Sequence, residues 1–466
     1  MSNLPFGFGP GAGDPDDPGG KGPGDKGQGG GDQPVDPFSA LFGGGRPGDI
    51  GEAFQQLGRM LSWQGGPVNW DLAHDLARQA VSSQGDRSVG AAERNDVLEA
   101  MRLAELWLDP ATAFPAGAAS ADAWSRAEWV ERTLPAWREL VDPVAGRVVK
   151  AMGEMLAAED GPLGQMGQSG QLPEQLQALG GLGDLTGPGG PLAQMMQSVG
   201  GAMFGAQIGQ ALGSLAGEVV GSTDVGLPLT AGHRAALLPA NIAEFGEGLG
   251  VPLDQVRLYL ALRESAHHRL FAHVPWLRAH LVDAVGAYAR GIHVDTSRLQ
   301  DAIGRIDPSN PEALQEALVG GLFEPEDTPA QKAALARLET ALALVEGWVD
   351  EVVNAAATPH LPSASALRET VRRRRAGGGP GEQTFASLVG LELRPRRLRE
   401  AAAVWRALVG ERGVDGRDKV WAHPDLVPTA DDLDDPDGFA RGSSVPLDLS
   451  GLEDTEAPPE PGDPRG

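Results

Sequence analysis

From about residue 50 onward, apolar residues recur at three- and four-residue spacing, and alternation of the strand type is almost absent. That period gathers apolar side chains on one face of a helix. AFQQLGRMLSW, WDLAHDLARQAVSS and DVLEAMRLAELWLD carry it, which predicts a helical region over 49–160. Trp124, Trp129 and Trp137 punctuate SADAWSRAEWVERTLPAWRELV, where their spacing predicts core packing, with Ser120 as N-cap. A further helix is predicted over 229–247. Pro252 then stands at a natural first helical position for PLDQVRLYLALRESAHHRLFAHV. Pro275 ends or bends that helix, and WLRAHLVDAVGAYARG continues as the next. PEALQEALVGGLF, the stretch AQKAALARLETALALVEGWVDEVVNAA and FASLVGLELRPRRLREAAAVWRALVG complete the helical pattern, with TVRRRRAGGG read as a basic turn. The expected fold class is mainly α, a helical bundle with disordered termini.

One helix has a different signature. Gly201, Gly205, Gly209, Gly213, Gly217 and Gly221 recur every fourth residue in GAMFGAQIGQALGSLAGEVVG. On a helix this makes a bare stripe against which another backbone can pack closely. Each glycine costs roughly 1 kcal/mol of helix propensity against alanine, so the run needs tight packing to persist. The uncharged run is long enough for a membrane span. Gln194, Gln197, Gln207, Gln210, Ser198 and Ser214 make it too polar for one, and a buried helix is expected.

Composition sets the boundaries. Much of the 66 Gly and 37 Pro lies near the N-terminus, where residues 1–48 hold too little apolar surface to offset chain entropy. A disordered tail is expected there, with PFSALF as a short docking run. A Gly/Gln/Pro-rich loop is expected over 161–192, a helical core over 193–425 and an acidic, largely disordered tail over 426–466. The chain has 466 residues and a net charge of −26, which argues against nucleic acid and anionic membrane surfaces as partners. The basic run Arg372–Arg375 accordingly reads as a solvated helix end. With 0 cysteines, disulfide scaffolds, thiolate zinc sites and thiol catalysis are excluded. MSNLPFGFGPGAGDPDD has neither the basic nor the apolar region of a secretory signal, so a cytoplasmic location is expected, with an unknown protein or peptide as partner.

The candidate chemistry lies in LRESAHHR, residues 262–269. With histidine at position 263 this would read H-E-x-x-H, in which two imidazoles on one helical face hold Zn²⁺ and the glutamate activates the metal-bound water. Glu264 and His267 are present, but Arg263 occupies the first ligand position. A guanidinium has no lone pair for a metal. Glu264 and His268 are also four apart, so a plain charge pair accounts for both without a metal. The aspartates Asp431, Asp432, Asp434, Asp435 and Asp437 lack the loop spacing and terminal glutamate of an EF-hand. No phosphate loop, nucleophile elbow or dinucleotide fingerprint is found.

RESAHHRLFAHVPWLRAHL, ALVEGWVDEVV, GLELRPRRLREAAAVW and WAHPDLVPTADDLDDP, in that order, resemble the zincin-like metallopeptidase type 2 family, over roughly residues 50–439. These are helical proteins of high-GC bacteria labelled hydrolases or zinc-dependent metalloproteases. The resemblance implies that Glu264 falls on the catalytic glutamate and His267 on the second histidine ligand. It implies Glu346, in EGW, as third ligand, with Trp348 in place of the histidine of that motif. Zinc is the cofactor implied, held by His267 and Glu346 and, if it swings in, His268. With both motifs altered, two expectations stand. One is a zinc-dependent hydrolase with a degenerate site. The other is a non-catalytic binding or scaffold protein, a pseudoenzyme, in which Arg263 pairs with Glu264 or Glu346 where the metal would sit.

Overall fold

A computed structural model describes residues 65–157, 191–290, 328–378 and 397–442 of the chain. The N-terminal tail, the 161–190 loop, PEALQEALVGGLF, FASLVG and the last residues of the acidic tail lie outside them. Among the described residues the architecture is helical, with one two-stranded parallel sheet, as the apolar period predicts.

Local sequence explains most element ends. Helix α1 (Trp70–Ser83) starts where the Asn69 side chain accepts from the Leu72 amide at 3.0 Å. In α2 (Ala91–Leu108), Glu93 reaches back to the Gly90 amide at 3.0 Å. Strand β1 (Ser120–Ala123) precedes α3 (Arg126–Ala157). Ser120, expected as the cap of that helix, lies instead in the strand. Ser125 and Glu128 cap it reciprocally, hydroxyl to the Glu128 amide at 3.2 Å and carboxylate to the Ser125 amide at 2.9 Å.

Helix α4 (Pro191–Glu218) holds most of the glycine stripe. A Cβ at Gly205 or Gly209 would stand 2.5 Å or 2.6 Å from the carbonyl oxygens of Asn69 and Ala73, so α1 lies directly on the stripe. Among the described residues, no helix is long and apolar enough to cross a membrane.

The stretch 229–247 differs from expectation. Its first half is strand β2 (Arg234–Leu237), paired with β1 in the register Ser120↔Arg234 to Ala123↔Leu237, and only its second half is helix α5 (Pro239–Gly246). RAAL is too short to reveal its period, and the β1 partner lies more than a hundred residues away.

Helix α6 (Leu253–His273) ends before Pro275, which opens α7 (Pro275–Arg290) and has no N–H to continue the ladder. Helix α8 (Pro329–Ala357) is capped by Thr328 and Gln331, and α9 (Ala364–Ala376) follows it. The arginines read as a basic turn are the last turns of α9. Helix α10 (Leu398–Lys419) kinks at Gly413.

The acidic stretch does not stop being structured at residue 426. Thr429 and Asp432 cap one another, Arg397 pairs with Asp434, and Asp435 caps α11 (Pro436–Arg441) with an acceptor 3.0 Å from the Gly438 amide. Leu433 and Ala440 are buried, and α11 packs against α10.

α6 sits at the centre, touched by α2, β2, α5, α7, α8 and α9. Every residue from Leu258 to Phe271 is buried. A helix enclosed all round is normally apolar. This one carries Arg263, Glu264, Ser265, His267, His268 and Arg269 into the interior, so each charge there needs partners. Trp124, Trp129, Trp137, Trp348 and Trp405 are fully buried, as expected of the first three.

Candidate functional site

α6 presents its polar residues to two sides. On one, Glu264 meets the segment that follows α4 and the edge of β2. Its Oε1 accepts from the Ser222 amide at 3.1 Å, the Ser222 hydroxyl and the Ala236 amide at 3.3 Å. Its Oε2 accepts from the Thr223 amide at 3.1 Å and the Thr223 hydroxyl at 2.6 Å. His268 Nε2 lies 3.2 Å from Glu264 and 3.1 Å from the Ser222 hydroxyl. The expected Glu264–His268 pair therefore exists, inside a wider cradle. Gly221, last of the stripe and already beyond α4, gives the carboxylate room: a Cβ there would stand 2.6 Å from Oε2.

On the other side, Arg263 and His267 meet Glu346 of α8. Arg263 Nη2 donates to Glu346 Oε2 at 2.6 Å, and His267 Nε2 lies 3.2 Å from Oε1. Of the two pairings open to Arg263, the structure has the one with Glu346. The second nitrogen of His267, Nδ1, lies 2.9 Å from the Arg263 carbonyl oxygen. Arg375, at the end of α9, brings Nη2 to 3.0 Å from Glu346 Oε1, an ion-pair contact without hydrogen-bond alignment. It also stands 3.5 Å from Asp224, which accepts from Arg374 at 2.9 Å. Three of the four arginines of the basic run thus turn inward, Arg372 joining Asp350 at 2.6 Å. Arg373 alone of the four is exposed, so the run is not a solvated helix end.

Exposure is 5% for Arg263, 3% for Glu264, 2% for His267, 3% for His268 and 1% for Glu346. Burial is the largest influence and works against the Arg263 charge, but Glu346, Tyr259, Asp350 and Asp224 together outweigh it and raise the guanidinium above its ordinary value. Burial likewise would raise Glu346, yet Arg375 and Arg263, with His267, keep its carboxyl well below the usual carboxylate range. For Glu264 burial is again the largest influence and again loses, here to the His268, Ser222 and Thr223 contacts, which take it down to about 2. Burial pushes the Arg375 guanidinium below its ordinary value.

Trp348 stands apart from these groups. Its indole N–H donates to Asp418 at 2.8 Å, a carboxylate also held by Thr112 at 2.7 Å and Arg417 at 2.7 Å. His268 faces Glu264 and does not swing toward His267.

A catalytic zinc needs three protein donors with free lone pairs and one open position. Here Arg263 has no lone pair to offer, which leaves His267 and Glu346 as two donors where three are needed. Glu346 is engaged by two guanidinium groups. Among the described residues, no three His, Asp or Glu side chains gather as a ligand set. The residues present do not fit zinc.

Arg263, His267 and Glu346 meet as the altered motifs imply. Arg375, Asp224, Ser222 and Thr223 were missed. Ser-Thr-Asp directly after the glycine stripe was the available hint for three of them. Nothing in the spacing of an arginine run points to a glutamate on another helix.

The model of the zincin-like metallopeptidase family matches residues 68–440, and the chain belongs to that family. No curated protein matches it. Among solved structures it is similar to "a putative hydrolase with a novel fold from Chloroflexus aurantiacus", at 20% identity and a TM-score of 0.53, over 80% of this chain and 98% of that one. At that identity the likeness concerns the fold.

Proposed function

We propose that this chain is a non-catalytic member of its family, a helical binding or scaffold protein in which arginine stands where the metal would be. The observation that carries the reading is the Arg263–Glu346 pair at 2.6 Å, buried where the motif's first and third ligands would meet. Glu264 supports it from the other side. A general base works best with a pKa near the operating pH and a free lone pair for water. This carboxylate has neither, since both oxygens are covered by protein donors and its pKa is about 2. Enclosure supports it as well, because a substrate backbone needs access to the helix that acts on it.

Family membership favours the second reading, a zinc-dependent hydrolase with Glu264 as general base and His267 and Glu346 as metal ligands. Elemental analysis separates the two. Protein purified without a histidine tag is expected to hold far less than one zinc per chain. It is expected to cleave neither casein nor a peptide library, with or without added zinc. Stoichiometric zinc, together with hydrolysis abolished by E264Q, would establish the hydrolase instead.

A further inference from the structure

Resting on the pseudo-site reading, we infer that the replacement of the metal is a two-residue device. Arg263 and Arg375 together supply the double positive charge of a divalent ion to Glu346, and Arg375 is its unrecognised half. The sequence motif shows only the first substitution, because Arg375 lies on α9, far from both altered motifs.

The geometry has three parts. Glu346 projects from α8 between α6 and α9. Arg263 takes Oε2 at 2.6 Å, and Arg375 takes Oε1 at 3.0 Å. Both arginines are buried, at 5% and 6% exposure, so neither charge is solvated by bulk water. Each needs an internal acid, and Glu346 is the one they share. The third part is the backbone at Gly226, whose φ of +82° brings it so close that a Cβ there would lie 3.2 Å from Glu346 Oε1. Gly226 thus stands beside Oε1, where His267 Nε2 also lies at 3.2 Å, and the carboxylate is enclosed at 1% exposure.

Charge arithmetic agrees. Two guanidinium groups and one carboxylate sum to +1, the same as a divalent ion with one carboxylate. Asp224, 3.5 Å from Arg375, is paired more closely with Arg374, at 2.9 Å, so that second pair leaves this sum unchanged. Arg374 provides the internal control. It sits one residue away and pairs with the same Asp224 at 2.9 Å, but no contact with Glu346 is seen for it.

The consequence is that restoring the motif at one position is not enough. In R263H an imidazole at 263 joins His267 and Glu346 as a two-histidine, one-glutamate set. Arg375 still neutralises the glutamate and repels the incoming ion. Titration of the full-length, untagged protein with zinc chloride by calorimetry tests this with R263H, R263H/R375Q and R263H/R374Q. We expect the R375Q double variant to bind zinc at least about tenfold more tightly than R263H, roughly 1.4 kcal/mol. R263H/R374Q should match R263H.

Equal affinity for R263H and R263H/R375Q would overturn the inference, as would an equal gain from R374Q. So would no binding by any variant whose circular dichroism matches the wild type. Stoichiometric zinc in the wild type would instead defeat the pseudo-site reading itself. Should R263H/R375Q not fold, a stability cycle decides the question. The cost of R375Q should largely vanish in an E346Q background if Arg375 acts on Glu346, and persist there if it serves Asp224 alone.

Discussion

A carboxylate with every lone pair covered by a donor is a structural acceptor, and Glu264 is the clearest case in this chain. Changing it to glutamine keeps the shape but turns one oxygen into an NH₂ that faces N–H or O–H donors. Leaving such buried groups unsatisfied costs on the order of 1–3 kcal/mol. E264Q should therefore destabilise the protein by about that much in urea unfolding, and a change near zero would show the cradle to be replaceable by water. At this scale the sequence is legible where partners are close along the chain. The Glu264–His268 pair follows from a spacing of four. The Glu346 contact was legible only because two altered motifs aligned with a family pattern. Ser222, Thr223 and Arg375 reach the site through tertiary contacts that no local spacing records. The same holds for Trp348, whose indole finds Asp418 rather than the site its position in EGW implied.

Among the elements, α4 against α1 gives the most direct test of sequence-based reasoning, because the glycine stripe predicted close packing without naming the partner. Its steps are not equivalent. At Gly209 a Cβ would meet the Ala73 carbonyl oxygen at 2.6 Å and Leu76 Cβ at 2.9 Å, neither of which yields without moving α1. At Gly217 the nearest atom is the Gln84 side-chain oxygen at 2.6 Å, the far end of a flexible chain that can swing away. G209A should cost about 1–3 kcal/mol through overpacking. G217A should be neutral, or stabilise by up to about 1 kcal/mol through helix propensity. Equal costs at both positions, measured by thermal or urea unfolding, would mean that propensity rather than packing governs the helix. Long amphipathic helices were legible for the same reason as the stripe: their period repeats over several turns. Short elements were not. Four residues of β2 cannot display alternation, and α3 is capped by Ser125 rather than Ser120 because Ser120 pairs with Arg234 in the β1–β2 ladder. The run TVRRRR was read as a turn because its charge has no apolar period. It is helical because Asp350, Asp224 and Glu346 receive its arginines.

The whole molecule carries a net charge of −26, while its interior holds carboxylates whose ionisation the fold depends on. The two populations respond to acid with opposite sign. Protonating surface carboxylates relieves self-repulsion, so moderate acidification should leave stability unchanged or slightly raised. Glu264 behaves otherwise. Its folded value of about 2 lies below the ordinary 4.5, so the native state binds that proton more weakly than the unfolded chain does. The stability it contributes is fully present above about pH 4.5 and is lost as pH falls toward 2, an amount on the order of 3 kcal/mol. Glu346, held down by Arg375 and Arg263, adds to the loss in the same direction. Urea unfolding between pH 7 and pH 3 should therefore hold level to about pH 5 and then fall. The comparison with E264Q isolates the residue responsible. Glutamine does not titrate, so the deficit of E264Q against the wild type should be constant from pH 7 to 5 and narrow below about pH 4 as the wild type loses its own advantage. A deficit that stays constant to pH 3 would place the acid sensitivity elsewhere, on Glu346 first, and would mean that Glu264 is not held as a buried anion by its cradle.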